Sequence, residues 1–234
     1  MSRPSAKIFP HTHAVLPVVH VESEAQALRN VEIAVNAGVD GVFLINHSIS
    51  SGELLEVHEA AVRCFPGFWT GVNCLDLSPS EVFERIPQTV RGVWVDNASI
   101  REDQAEQPEA ETIRAAQRQF APDCLYFGGV AFKYQRAVAN LASAASIARD
   151  WMDVVTTSGP GTGHAADVTK IETLKSALDG VPLAIASGIT PENVGDYLPY
   201  ADVFLVATGI SFSHTELDPA RTRLLMERVR GWLR

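Results

Sequence analysis

The chain has 234 residues, of which 46% are hydrophobic and 20% charged, as is typical of a globular protein. Its net charge of −9 argues against a nucleic-acid-binding surface, which needs clustered Lys and Arg, but not against a small anionic substrate. The three cysteines are scattered without CxxC spacing, which predicts reduced thiols in a cytoplasmic protein. Residues 1–13 lack the apolar run of a signal peptide, and no segment predicts a membrane span.

Short apolar segments alternate along the chain with longer amphipathic ones. The apolar segments are rich in Val, Ile, Leu and Phe and hardly alternate with polar residues, which is typical of strands buried on both faces of a parallel sheet. The eight predicted strands are Ala14–Val19, Gly41–Asn46, Trp69–Asn73, Gly92–Asp96, Cys124–Gly128, Asp153–Thr157, Pro182–Ala186 and Asp202–Ala207.

The segments between these strands carry signals for the start of a helix. They are capping boxes at Ser23, Ser50 and Ser78, and prolines in the first helical turn at Pro79, Pro191 and Pro219. Gly38 is placed to end the first helix. A helix is therefore predicted after every strand, and the most polar stretch, residues 101–112, is placed in the loop after the fourth strand.

Eight strand–helix units of about 29 residues each predict a (β/α)₈ barrel with eight parallel strands. An open, doubly wound sheet is the rival, but no G-x-G-x-x-G follows the first strand. We expect a single domain over residues 1–234, with residues 1–13 as an N-terminal extension and His11-x-His13 on its surface.

In a (β/α)₈ barrel the active site lies at the carboxyl ends of the strands, and phosphate is often bound by the loops after strands seven and eight. Ser187-Gly188 and Thr208-Gly209 occupy these two positions, and glycine lets the backbone approach an anion closely. The loop after strand six adds hydroxyls and three glycines. The predicted substrate- and phosphate-binding residues are Asn46, Thr157, Ser158, Gly159, Gly161, Thr162, Gly163, Ser187, Gly188, Thr208 and Gly209.

Four other residues at strand ends have side chains suited to catalysis: Asp96, Lys133, Asn73 and His20. Asp96 is a candidate general base or a ligand for ribose hydroxyls, and Lys133 a cation for an anionic substrate or, if desolvated, a base or Schiff-base amine. The alternatives are a helix N-cap or loop acceptor for Asp96 and a solvated rim position for Lys133. Asn73 could instead satisfy loop backbone, and His20 could be a packed, hydrogen-bonded histidine. His20 and His47 with Asp96 are a candidate divalent-metal set, but no H-x-H or i, i+4 pair supports it, so no metal or cofactor is predicted.

Several short motifs in order resemble the BtpA family of TIM-barrel proteins, which includes the SgcQ-like proteins and is named for a role in photosystem I biogenesis. They are His20, Gly71-Val72-Asn73, Asp103-Gln104, Val130-Ala131-Phe132-Lys133, Asp153–Gly163 and the segment from Ser187 to Val194. The chain departs from the family at Val21-Glu22-Ser23, at Ile45-Asn46-His47, at Gly129 where the family usually has Asp, and at Phe212 where it often has Lys.

The residues and the resemblance leave two functions open. The first is an enzyme, an isomerase, lyase or glycosyl-transferring protein, that acts on a phosphorylated sugar or nucleotide-like molecule. The second is a non-catalytic assembly or stability factor. Polar groups converging in the barrel mouth favour the enzyme, and a large exposed apolar patch favours the factor. A homo-oligomer is expected in either case.

Overall fold

In the computed structural model, which describes residues 9–232, eight parallel strands close into one barrel in the order β1 to β8. The strands are β1 (Ala14–Val21), β2 (Val42–Asn46), β3 (Thr70–Asn73), β4 (Gly92–Val95), β5 (Leu125–Gly129), β6 (Val154–Thr157), β7 (Leu183–Ala186) and β8 (Val203–Val206). The predicted barrel is confirmed, and each predicted strand end lies within two residues of the observed one.

Seven α-helices of the described chain surround the barrel. They are α1 (Glu24–Ala37), α2 (Ser51–Cys64), α3 (Glu81–Arg85), α4 (Pro108–Phe120), α5 (Leu141–Ala148), α6 (Val168–Ala177) and α7 (Pro219–Arg230). The prediction of a helix after every strand is wrong for β7, where only a 3-10 turn forms at Val194–Asp196. Gly195 and Pro199 interrupt this segment, and both residues disfavour a helix interior.

The predicted helix boundaries follow from capping. Ser50 and Glu53 form a complete capping box, and the Asp218 carboxylate accepts hydrogen bonds from two backbone N–H groups of α7. Gly38 ends α1 in the left-handed conformation, with φ of 73°. The placement of residues 101–112 in a loop is wrong in part, because α4 begins at Pro108, where proline suits the first helical position.

Side-chain alternation along the strands divides the buried residues into two layers. One layer fills the barrel and contains an edge-to-face aromatic cluster in which the ring of Phe43 meets Trp69, Trp94 and Phe127 at centroid distances of 5.2, 6.0 and 5.1 Å. The other layer packs the outer faces of the strands against the helices. Because aromatic side chains fill this part of the barrel, most of its charged and amide side chains lie at the strand ends.

The segment before β1 is packed against the barrel. Phe9 is buried and its ring lies 5.3 Å from that of Trp69. His13 is also buried and its Nδ1 lies 2.9 Å from the carbonyl oxygen of Ala201, so the prediction of a surface His11-x-His13 pair holds only for His11. Residues 1–8 of the predicted extension lie outside the described residues.

An ion pair joins the outer face of the barrel to α4. Both terminal nitrogens of Arg114 donate to the Asp153 carboxylate, at 3.1 and 2.9 Å, and Asp153 also accepts from the backbone N–H of Tyr126. The Arg114 side chain is 6% exposed, so removing its charge leaves a poorly solvated carboxylate.

We expect Arg114→Met to lower the free energy of unfolding by about 3 kcal/mol, because one partner of a buried ion pair is lost. Denaturant unfolding of the purified protein measures this change. The control is Arg85→Met, which removes an exposed i, i+4 partner of Glu81 and should change stability by less than about 0.5 kcal/mol. Equal effects of the two substitutions would contradict the structural role of Arg114.

Candidate active site

The alternation of side chains selects which strand-end residues point into the barrel mouth. His20 and Asp96 each follow an inward-pointing residue, Val18 and Trp94 respectively, by two positions, so they also point inward. Asn73 pairs across the sheet with Ile45, which points inward as well. Thr156, which pairs with Ala184, is inward on the same basis. Three of the four predicted catalytic residues therefore lie on the inner side of the barrel at its carboxyl end.

Asp96 and Asn73 are joined by a hydrogen bond. The Asn73 amide nitrogen donates to the Asp96 carboxylate at 3.0 Å, and the Gln135 amide donates to the Asp96 backbone carbonyl. Burial raises the pKa of Asp96, while Asn73 and the nearby charges of Lys133 and His47 oppose that rise. A carboxylate with a raised pKa in a polar mouth is the environment of a general base or acid.

Lys133 is half-buried and reaches the same region from the loop after β5. Its Nζ lies 3.2 Å from the Thr162 hydroxyl oxygen and 5.7 Å from the Phe132 ring centroid. Burial is the main cause of the lowered pKa values of His20 and His47; the positive charge of Lys133 adds to it and also favours the ionised form of Asp96. Lys133 thus places a positive charge at the mouth of the barrel and contacts the loop after β6.

Hydrogen bonds join the loops after β5 and β6 to each other and to α6. The Ser158 hydroxyl accepts a hydrogen bond from the Lys133 backbone N–H at 2.8 Å. Lys170 on α6 donates to the carbonyl oxygens of Ala131 and Ser158, both at 2.6 Å, and burial lowers its pKa to about 8. Ser158 therefore positions Lys133 through the backbone, and Lys170 fixes both loops.

The glycine-containing loops after β6, β7 and β8 pack closely on one another. A side chain at Gly188, which has φ of +73°, would meet the backbone of Ala165 at 2.3 Å, and one at Gly209 would meet the Ile189 carbonyl oxygen at 1.9 Å. Gly163 lies beside Thr208, and the Ser187 hydroxyl lies 3.5 Å from the Gly161 carbonyl oxygen. The predicted phosphate-binding loops are thus adjacent, and their glycines are also needed for contact between loops.

Two predicted binding residues do not point into the mouth. Asn46 lies two residues after the outward-pointing Leu44 and points outward too. Its amide nitrogen donates to the Ile49 carbonyl oxygen and the Asp76 carboxylate, and its amide oxygen accepts from the Leu75 N–H, so it holds the loops after β2 and β3 together. Thr157 has the outward parity of Val155, is fully buried and contacts the carbonyl oxygen of Ala131. Both residues therefore have contacts typical of a structural role.

Three polar atoms that the sequence did not predict lie deeper in the barrel. Thr156 Oγ1, Trp94 Nε1 and His20 Nδ1 are buried and have no hydrogen-bond partner among the described residues. Buried polar atoms are normally paired, so unpaired ones that line a concave end indicate where a polar ligand is recognised. Strand parity is the signal for Thr156, but the sequence cannot assign that parity because both faces of β6 are buried.

Three histidine side chains converge at one side of the mouth and could hold a metal ion. His20 and His47 are joined there by His214 from the loop after β8, and one ligand nitrogen of each lies within 4.8 Å of the others. Burial, followed by the charges of His214, His47 and Lys133, lowers the pKa of His20 to about 3. Sequence spacing gave no signal for His214, which the fold alone brings to the other two.

A small cavity of about 130 Å³ is lined by Asn73 and Asp96, and two larger cavities flank the mouth. One of about 400 Å³ lies between the loops after β4 and β5 and is lined by Asn97, Gly129 and Gln135 among others. The other, of about 510 Å³, lies between the loops after β5 and β6 and includes Lys133, Ser158 and Lys170. The size of these two larger cavities is within the usual range for sites that bind small molecules.

The closed eight-stranded barrel with polar groups at its carboxyl end defines a TIM-barrel protein. Phosphoribosyl anthranilate isomerase from Thermus thermophilus superposes with a TM-score of 0.67 at 17% identity, covering 93% of this chain and 98% of that one. (S)-3-O-geranylgeranylglyceryl phosphate synthase from Thermoplasma acidophilum, solved with sn-glycerol-1-phosphate, gives 0.70 at 13% identity, covering 99% and 100%. A structure described as native KDPGal gives 0.67 at 12% identity, covering 95% and 97%.

The chain belongs to the BtpA family, whose profile matches residues 89–231. This match confirms the family resemblance seen in the motifs. A search of curated proteins found no match. None of the described helices is long and apolar enough to cross a membrane.

Because burial raises the folded-state pKa of Asp96, this group stabilises the protein below its unfolded pKa, and that contribution is lost as the pH rises through the folded pKa. We therefore expect Asp96→Asn to be more stable than the wild type at pH 7. The difference should shrink as the pH falls towards 3, where the carboxyl is protonated in both states. Denaturant unfolding at several pH values measures it.

The control is Asp103→Asn, because Asp103 is exposed and its hydrogen bond with Arg101 lowers its pKa. That variant should gain no stability at pH 7. A loss of stability in Asp96→Asn at neutral pH would show that the Asp96 charge is structurally favourable, against its assignment to the active site.

Proposed function

We propose that the protein is an enzyme that acts on a phosphorylated sugar or nucleotide-like molecule at the carboxyl end of the barrel. The observation that carries this proposal is the convergence of Asp96, Asn73, His20 and Lys133 from β4, β3, β1 and the loop after β5. An isomerase, a lyase or a glycosyl-transferring enzyme could use this combination of a base, an amide and a cation around the reacting carbons.

Each residue has a role in the proposed reaction. Asp96 moves a proton, because its raised pKa brings it nearer to the neutral pH at which a carboxyl base works best. Asn73 orients the Asp96 carboxylate through their 3.0 Å hydrogen bond. Lys133 neutralises the anionic part of the substrate, and His20, which is neutral at pH 7, accepts or donates a hydrogen bond.

The phosphate is proposed to bind at the adjacent loops after β6, β7 and β8. Ser187, Thr208 and Thr162 supply hydroxyls there, and the backbone around Gly161, Gly188 and Gly209 supplies N–H donors. In TIM barrels a phosphate is frequently bound by the loops after strands seven and eight together with a short extra helix. A 3-10 turn at Thr208–Ile210 occupies that position here. One similar structure holds a glycerol phosphate, which supports this class of ligand.

A non-catalytic assembly role is the less supported alternative. Six large apolar side chains of the described chain are exposed, three of them in loops at the carboxyl end of the barrel, after β3, β5 and β8, and three on the surrounding helices α1, α4 and α7, so they do not all share one face. A docking face would instead concentrate them in one patch. Homo-oligomerisation and a cytoplasmic location remain predictions.

We expect Lys133→Met to keep the fold and to weaken the binding of a phosphorylated ligand at least tenfold, the equivalent of about 1.4 kcal/mol. Methionine is similar in length but cannot provide the charge-assisted hydrogen bond of the ammonium group, worth about 1.5–3 kcal/mol. Isothermal titration with glycerol 1-phosphate and with inorganic phosphate, in the presence of EDTA, measures the affinity.

Arg85→Met is the matched control, since it removes one positive charge from the exposed end of α3 and should leave the affinity unchanged. Variants of Gly188 or Gly209 are unsuitable because a side chain would disturb the loop contacts. Equal affinities of wild type and Lys133→Met would exclude Lys133 from the binding site.

A further inference from the structure

The histidine cluster at the mouth consists of His20, His47 and His214, which lie at the end of β1, just after β2 and in the loop after β8. The ring centroid of His20 lies 4.9 Å from that of His47 and 4.1 Å from that of His214. The ring centroids of His47 and His214 are 5.7 Å apart. Among the described residues this is the one group of three or more His, Cys, Asp or Glu side chains with converging ligand atoms.

The loop that carries His214 is a closed hairpin. An antiparallel bridge joins Ser211 to Leu217, and the Phe212 N–H donates to the Glu216 carbonyl oxygen at 2.8 Å. The hairpin is therefore an ordered element that holds His214 near its tip.

This hairpin is bound to α1 by buried side chains. Asn30 accepts from the Leu217 N–H at 2.7 Å and donates to the Thr215 carbonyl oxygen at 3.1 Å. Gln26 donates to the carbonyl oxygens of both Thr215 and His20, at 2.5 and 3.2 Å. One side chain thus links the backbone of His20 to that of Thr215, the residue after His214, which fixes the His214 hairpin over the end of β1.

The chemistry of the cluster matches a metal site better than a hydrogen-bonded histidine network. No hydrogen bond joins any of the three rings to another described residue, and Nδ1 of His20 is buried without a partner. The rings of His20 and His47 are stacked at an interplanar angle of 17°, so their in-plane nitrogens do not point at each other. The Asp96 carboxylate interacts electrostatically with His47, so a negative charge lies beside the cluster.

We propose that His20, His47 and His214 bind one divalent transition-metal ion, with Zn²⁺ as the first choice. Three imidazoles that leave a fourth position for water or substrate are the ligand set of catalytic zinc sites. Imidazole ligands also suit Co²⁺ and Ni²⁺, and neither Mg²⁺ nor Ca²⁺ prefers nitrogen donors. In this position the metal would polarise an oxygen of a substrate held in the mouth.

Binding requires a small closure of the cluster. Two nitrogens on one tetrahedral zinc, at bond lengths of about 2.0–2.1 Å, lie about 3.3 Å apart, whereas the ligand atoms here lie within 4.8 Å of one another. His47 and His214 are exposed, so rotation of these two side chains toward half-buried His20 can close the difference.

The test is the titration of untagged, EDTA-treated full-length protein with Zn²⁺ by calorimetry, and with Co²⁺ by visible absorption. We expect one ion per chain, with a Co²⁺ spectrum of low coordination number. His47→Ala and His214→Ala should each weaken binding at least tenfold. Both side chains are exposed, so neither substitution removes core volume, and circular dichroism checks that both variants are folded.

The matched control is His11→Ala, which removes the exposed histidine of the His11-x-His13 pair. This variant should bind zinc like the wild type. The proposal is overturned if the wild type binds no zinc, or if folded His47→Ala and His214→Ala bind it as tightly as the wild type does. The titration needs no substrate, so its outcome is independent of the phosphate-binding proposal.

Discussion

The closed parallel barrel imposes one constraint on which the rest of the structure depends: successive residues of each strand point alternately into the barrel and out toward the helices. The strands are short and their register is continuous around the barrel, so parity on one strand determines parity on its neighbours. Phe43, Trp94 and Phe127 take the inward positions in the interior. Asn73 and Asp96 take the next ones toward the carboxyl end, which is where the polar groups converge.

The loops at that end are rigid because they are bound to each other and to the helix layer. Lys170 and Ser158 connect the loops after β5 and β6, and the backbone of Ala165 packs against Gly188. Gln26 and Asn30 connect the His214 hairpin to α1. Preorganisation of this kind keeps charged groups in place without the help of a ligand. Lys133 and Asp96 therefore lie within electrostatic reach of each other in a half-buried mouth.

The position of the Asp96 carboxylate also has a structural cause. A Cβ atom at residue 129 would lie 1.8 Å from the Asp96 backbone carbonyl oxygen. The end of β4 approaches β5 too closely for a side chain, and the carboxylate of the mouth comes from β4 instead.

The sequence by itself determined the barrel, because eight runs of Val, Ile, Leu and Phe without polar alternation can only be buried on both faces, and because capping residues such as Ser50 and Asp218 mark helix starts locally. It also placed Asp96 and Lys133 at strand ends. It could not distinguish Thr156 from Thr157, or recognise Asn46 as outward, because burial on both faces removes the polar signal of parity. The grouping of His214 with His20 and His47 depended on the closure of the barrel, which brings β8 beside β1 although the two are distant in the chain. Only tertiary structure decides such contacts, since they are made between loops whose sequences carry no information about each other.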